Sequence, residues 1–274
     1  MKRRFVTATC VVALGCAILG PQTPFAQGVN NTTRSGCAVL PGWAELKAAL
    51  TAATAEPNGL LQNHMWGTIV DRNGVVCAVA FTGPDRTNQW LGSRVISAQK
   101  ANTANLFSLP AGSSGAFPQG LALSTANLYT VVQPGGSLFG LQESNPVSTD
   151  VAYSGSPSRY GLSNDPMVGG RIGGINVFGG GLPLYDSDRV LVGGIGVSGD
   201  TSCADHNVAY RTRHALNLDY VPAGVSGNPT RRDTIVYDIV PQPGQMPGIS
   251  PSGWGHPQCF APDVAAEATL PDNQ

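Results

Sequence analysis

Three short apolar runs, Gly174–Phe178, Leu182–Tyr185 and Val190–Val197, are separated by the turns Gly179-Gly180-Gly181 and Asp186-Ser187-Asp188. Runs this short between glycine and aspartate turns predict a β-meander, which restricts the chain to folds with an antiparallel sheet. A hairpin precedes it. Met65–Val70 and Val75–Phe81 are rich in β-branched and apolar residues, and Asp71-Arg72-Asn73-Gly74 joins them, with Asn-Gly supplying residues at positive φ. Helices occupy the remaining patterned segments. Pro41–Glu56 carries an apolar stripe of Leu46, Ala49, Leu50 and Ala53 and ends at Pro57-Asn58-Gly59. Ser93–Ser108 has small Ala98, Ala101 and Ala104 on one side and Ile96, Lys100, Thr103 and Phe107 on another. A third helix is expected from Ser202 to about Leu216, with Ser202-Cys203-Ala204-Asp205 read as a capping box. Thr234–Val240 reads as a further strand. The fold class is therefore α+β.

Residues 109–171 are rich in Gly, Ser, Pro and Asn with weak periodicity, although Ala122–Val132 reads as ordered. Loops of this length are uncommon unless functional or packed as a lid, so the stretch is read as an insertion into a single domain spanning 27–240. A Pro-rich tail, 241–274, is expected to wrap the surface, pinned by Cys259.

Residues 1–26 read as a signal peptide. Lys2, Arg3 and Arg4 form a basic start, Phe5–Leu19 an apolar run, and small residues lead to a cut after Ala26. A lipoprotein cut at Cys16 is disfavoured because Ala13-Leu14-Gly15 is a poor lipobox. No later segment reaches the ~18 apolar residues of a membrane span. The expected location is periplasmic or secreted. Cleavage leaves 13 basic against 17 acidic residues, a net charge of −4, and only Lys47 and Lys100 as lysines. Such a chain has no polybasic face for nucleic acid or anionic lipid. Charged residues at 12% against 42% hydrophobic ones argue for a packed core and not for disorder.

Four cysteines remain after cleavage: Cys37, Cys77, Cys203 and Cys259. An even count in an exported chain favours two disulfides, with three connectivities open. Metal binding by cysteine is the weaker reading. There is no C-x-x-C pair, and no histidine is read at ligand spacing from a cysteine.

Gly194-Ile195-Gly196-Val197-Ser198-Gly199 matches G-x-G-x-x-G and is followed about twenty residues later by Asp219, as in a dinucleotide fingerprint. Its place after a meander, in an exported chain, favours a tight glycine turn feeding a helix N-terminus, which can still hold an anion. No G-x-S-x-G elbow occurs. Among the histidines, His64 sits beside Met65 and Trp66, suited to an axial haem ligand or to packing. His206 lies opposite Val208, Thr212 and Ala215, so it is expected to face water or a site. His214 is read as solvated, and His256 lies in the tail. Lys100 and Thr103 project together, either as a snorkelling lysine and a helical threonine or as a cation and a hydroxyl meeting a ligand.

The order IVDRNGVV, then a helix with KANTA (Lys100–Ala104), then GGINVF and VLVGGIGVSGDTSCADHNVA, resembles the GlcG/HbpS-type haem-binding family, whose domain also forms the C-terminal part of PduO-type adenosyltransferases. The resemblance covers roughly residues 43–107 and 172–218. It implies a five-stranded antiparallel sheet covered by helices, the count that hairpin and meander also give, and assembly into homo-oligomers. It implies haem as cofactor, with Thr103 at the position implicated in haem contact and His64 as the nearest histidine to the first helix. In that reading apolar walls hold the macrocycle, Lys100 or an arginine pairs with a propionate, and His64 or Thr103 approaches the iron. A second reading is a cofactor-independent isomerase, lyase or hydrolase on a small oxygenated molecule, with Asp71, Lys100, Asp200 or His206 as acid/base groups. A third is a structural or assembly protein in which the glycine motifs serve close packing only.

Overall fold

A computed structural model describes residues 36–274; the expected signal peptide lies outside them. In chain order the main elements are helix α1 (Trp43–Ala55), strands β1 (Trp66–Asp71) and β2 (Val76–Phe81), helices α2 (Ser93–Phe107) and α3 (Thr149–Ala152), strands β3 (Gly181–Tyr185) and β4 (Leu191–Ser198), helix α4 (Ser202–Ala215), strands β5 (Val240–Gln242) and β6 (Gln245–Ile249), and helix α5 (Ala261–Glu267). β1 to β4 form one antiparallel sheet in the order β2-β1-β4-β3, and β5 pairs with β6 in a separate hairpin.

The main sheet thus has four strands, not five. The missing one is Gly174–Phe178, where Ile175 and Val177 are buried but the backbone is captured by side chains of α2. The Thr103 hydroxyl accepts the Asn176 N–H at 2.9 Å, and the Asn102 amide donates to the Gly174 carbonyl at 2.9 Å. These two backbone groups are bound to side chains instead of a neighbouring strand, and the run belongs to none of the described strands. Thr234–Val240 likewise is no full strand: it makes one isolated bridge, Val236 with Gly255, before β5 begins at Val240. In the β1–β2 turn only Gly74 takes a positive φ, +74°. Asp71 takes over the role expected of Asn73, its Oδ1 accepting the N–H groups of Asn73 and Val75.

Period-2 alternation sends the sheet's side chains to two faces. Leu46 and Leu50 of α1 and Val208 of α4 pack with Ile69, Leu182, Ile195 and Val197 on one face. On the other, Val95, Ala98 and Ala101 of α2 pack with Trp66, Val70 and Val79. α2 lies on β4 at backbone distance because Gly194 and Gly196 face it. A Cβ at Gly196 would stand 1.9 Å from the Ser97 carbonyl oxygen, and one at Gly194 2.3 Å from that of Ala101. The G-x-G stretch therefore serves helix packing. Gly181 of β3 continues the same surface, its Cβ position lying 2.5 Å from the Lys100 carbonyl oxygen.

The 109–171 stretch is knitted into the fold and is no free lid. Arg94, buried on α2, donates through Nε to Asp165 at 2.9 Å and through Nη1 to the Ala152 carbonyl, with its guanidinium 3.6 Å from the Tyr160 ring centre. Met167 and Ile172 join the α2-side core, while Leu121, Leu123, Leu128 and Val132 form a further cluster with Ile175 and Val177. The tail also departs from a surface wrap. Leu270 is buried with Leu46 and Leu50, and Asp263 of α5 accepts the Leu60 N–H at 2.7 Å and the Thr201 hydroxyl at 2.5 Å.

The disulfides pair Cys37 with Cys77 and Cys203 with Cys259. The first fastens the segment before α1 to β2. The second fastens the tail to the first turn of α4. Two disulfides fit an oxidising compartment. No helix among the described residues is long and apolar enough to cross a membrane.

Backbone-to-backbone packing at the glycines yields a sharp contrast. Gly196→Ala should lower stability by at least about 3 kcal/mol, because a main-chain oxygen cannot swing aside as a side chain can. Gly115→Ala, where a Cβ meets nothing within 4 Å, should change it by less than about 0.5 kcal/mol. Urea midpoints of the two variants check this; equal midpoints contradict the packing account.

Candidate functional site

The turn from β4 into α4 collects most of the acid/base candidates. Gly199 brings the chain against the His64 carbonyl, where a Cβ would stand 2.5 Å from the oxygen. Asp200 then bridges two segments, accepting the Asn63 N–H at 3.0 Å and the Thr201 N–H at 2.6 Å. Thr201, and not Ser202, caps α4: its hydroxyl accepts the Ala204 N–H at 3.2 Å. Asp205 turns back to accept the Asp200 N–H at 2.8 Å.

Lys100 is wholly buried. Its ammonium lies 2.7 Å from Asp205 Oδ2, donates to the Val197 carbonyl at 3.1 Å and sits 4.6 Å from the Phe178 ring centre. It is therefore neither a snorkelling side chain nor a surface cation. Burial lowers the Lys100 pKa, while the Asp205 carboxylate opposes that shift. Burial raises Asp205 to about 6 against the pull of Lys100. For both partners desolvation outweighs mutual attraction, the usual balance for an ion pair in a dry interior. Thr103 is buried as well, donating to the Gln99 carbonyl at 2.8 Å while holding Asn176.

His206, expected to face water or a site, is completely buried, and neither ring nitrogen has a hydrogen-bond partner. Gly179 of the triple-glycine turn packs on its Cβ, and the Tyr210 ring lies 6.2 Å away. Desolvation, reinforced by Arg213, His256 and Lys100, pushes its pKa down to about 3. The structure thus gathers Lys100, Asp200 and His206 around one turn, all buried. Asp71 is apart from them, held in its own hairpin turn. His214 is not simply solvated: it is half-exposed with Nδ1 2.6 Å from the buried Asp219 carboxylate.

His64 is exposed at the start of β1, with Nδ1 3.3 Å from the Thr82 hydroxyl. Near it in sequence, Gln62 lines a groove of about 580 Å³ between the end of α1 and α5. Pro57, Pro262 and Ala265 form apolar walls, and Arg211 enters the groove, donating to Asn58 Oδ1 and to Thr269. Neither Arg211 nor α5 stands out in sequence, since no periodic signal announces that the tail folds back.

His256 was also missed. Its Nδ1 lies 2.6 Å from the Pro257 carbonyl oxygen and its other nitrogen 2.7 Å from the Ser202 hydroxyl, whose oxygen also accepts the Gly179 N–H at 2.6 Å. The signal was present as His256-Pro257-Gln258-Cys259, an H-x-x-C spacing that corrects the reading of no histidine at ligand distance from a cysteine.

The depressed His206 gives a pH dependence with a definite sign. A histidine whose folded pKa lies below its ordinary 6.5 binds fewer protons folded than unfolded. Stability present above pH 6.5 is therefore lost as the pH falls toward 3. His206→Leu should reduce the loss between pH 7 and pH 5 by about 2 kcal/mol, measured by urea unfolding at both values. An unchanged difference between the two values contradicts a buried, unpartnered imidazole.

Several solved structures are similar to the chain. A PduOC–haem complex is 27% identical and covers 66% of this chain and 97% of that one, with a TM-score of 0.41. The Klebsiella pneumoniae protein ORFY is 23% identical, covering 64% and 90%, with a TM-score of 0.40. A double mutant of Streptomyces reticuli HbpS is 15% identical, covering 72% and 97%, with a TM-score of 0.40. No curated protein matches. The family model described as haem degrading protein HbpS-like matches residues 43–213, from the start of α1 to the last turn of α4, and the chain belongs to that HbpS-like family.

Proposed function

We propose that the protein binds haem or a closely related tetrapyrrole outside the cytoplasm, in the periplasm or as a secreted homo-oligomer. The observation that carries this reading is membership in the HbpS-like family over residues 43–213. The two disulfides support the oxidising location.

The residues present fit the group. His64 is exposed, and among the described residues its Nε2 has no hydrogen-bond partner, so the imidazole is free to serve as an axial ligand. Leu60 and Leu61, just before it, expose about half of their surface. The groove lined by Pro57, Gln62, Arg211, Pro262 and Ala265 falls within the ~300–1,000 Å³ of small-molecule sites. Arg211 offers a guanidinium to a propionate, as an arginine was expected to do. Lys100 and Thr103 act from behind in this reading: Lys100 holds the α4 turn through Asp205, and Thr103 holds the Asn176 segment. Neither reaches a ligand without giving up a buried partner. Bound haem supplies redox chemistry at its iron, and the chain's part is to bind, orient and shield it.

A second reading, a cofactor-independent enzyme on a small oxygenated molecule, is favoured by one observation: the unpartnered His206 beside Lys100, Asp205 and Asp200. It requires turnover by haem-free protein that is lost in His206→Asn.

A haemin titration followed by visible absorption tests the first reading. A saturable, shifted Soret band at micromolar or tighter affinity is expected, weakened about tenfold or more by His64→Ala and to a lesser degree by Arg211→Gln. Unsaturable spectra, or a band indifferent to both variants, would sink it.

A further inference from the structure

Where the tail meets the first turn of α4 lies a cluster that the haem reading does not use. The sulfurs of Cys203 and Cys259 and one ring nitrogen of His256 lie within 4.8 Å of one another. Two thiols and an imidazole are a zinc donor set. The surroundings are already those of a metal-ligating histidine. A carbonyl oxygen only accepts, so the 2.6 Å contact to Pro257 fixes the hydrogen on Nδ1 and leaves the lone pair on Nε2, which now receives the Ser202 hydroxyl. The Tyr129 ring packs edge-on against the imidazole, centroids 5.1 Å apart. At the first turn of α4 the Cys203 N–H points at Cys259 Sγ from 3.2 Å, a donor that favours a thiolate there. The Cys203 and Cys259 Cα atoms, 6.0 Å apart, suit two sulfurs about 3.7 Å from each other on a tetrahedral zinc.

We propose that reduction of the Cys203–Cys259 disulfide uncovers a Cys₂His site, formed by Cys203, Cys259 and His256, for a thiophilic divalent cation such as Zn²⁺. A dithiol attacks the sulfur of Cys259, which is partly exposed while Cys203 is buried. The dithiol closes to its own disulfide, and its two electrons and two protons leave Cys203 and Cys259 as thiols. Zinc then displaces both thiol protons to solvent and takes the Nε2 lone pair in place of the Ser202 hydrogen. Three protein ligands leave a fourth position for water or a small ligand. In the oxidised chain the sulfurs are bonded to each other and the site is closed, so metal uptake reports the redox state of the tail.

The test uses the whole chain, freed of metal, with Cys37→Ser/Cys77→Ser as background so that only this disulfide responds. Zn²⁺ is titrated against a chromophoric chelator before and after treatment with a dithiol, and Co²⁺ reports thiolate ligation by its charge-transfer absorption. The reduced protein is expected to take one equivalent of zinc with a Kd of about 1 μM or tighter; the oxidised protein takes none at this site. His256→Gln, which keeps the disulfide, should weaken binding at least about tenfold, and Cys203→Ser/Cys259→Ser should abolish it. Circular dichroism follows folding in each state. Binding indifferent to His256→Gln overturns the proposal, as does a reduced chain that binds no zinc, whether folded or unfolded.

Discussion

The contact between α2 and the glycine face of β4 is the constraint from which most of the molecule follows. With Gly194 and Gly196 lacking a Cβ, the carbonyls of Ser97 and Ala101 come within van der Waals reach of the strand. Lys100 and Thr103, on neighbouring flanks of the same helix, are carried inward with it. A buried ammonium needs a buried anion, and Asp205 supplies it from the first turn of α4. Asp205 in turn fixes the Asp200 amide, and Asp200 fixes Asn63, immediately before His64. Helix packing thereby sets the shape of the turn and the entry into β1. Thr103 exerts the same influence in the other direction, holding Asn176 so that the chain before β3 stays extended but unladdered.

Around this core the remaining segments are attached by buried charge pairs and disulfides. Arg94 with Asp165 fastens the 109–171 stretch to α2, and Arg213 with Asp233 fastens the 226–234 segment to α4. Residues of the 109–171 stretch cover the side of α2 that faces away from the sheet. Folding the tail back through Asp263 and Leu270 creates the groove that Arg211 enters. These segments therefore shape the surface available to a ligand around the four-stranded core.

Much of this core was legible. The β1–β2 hairpin, the three long helices and the family followed from short apolar runs, alanine spacing and the KANTA and glycine motifs. What failed did so for identifiable reasons. Periodicity marks Ile175 and Val177 as buried but cannot tell a ladder from a backbone bonded to side chains, so a fifth strand was counted. Helical spacing groups Lys100 with Thr103 but cannot show that both are covered, because their partners Asp205 and Asn176 lie 105 and 73 residues away in the chain. The same spacing places His206 toward water or a site; it is buried and not in water, because the surface covering it includes Gly179, which leaves no hydrophobic trace. Cysteine count gave two disulfides, but pairing and the nearness of His256 depend on where the tail returns.

If haem binds as proposed, the glycine turn and the KANTA helix are structural and the ligand lies outward, at His64 and the α1–α5 groove. Hydrogen exchange measured peptide by peptide, with and without haemin, tests that division most directly. The prediction is new protection confined to residues 56–64 and 262–269, with α2 and the 194–206 turn unchanged. Protection centred on α2 and that turn, with the groove unaffected, would contradict it.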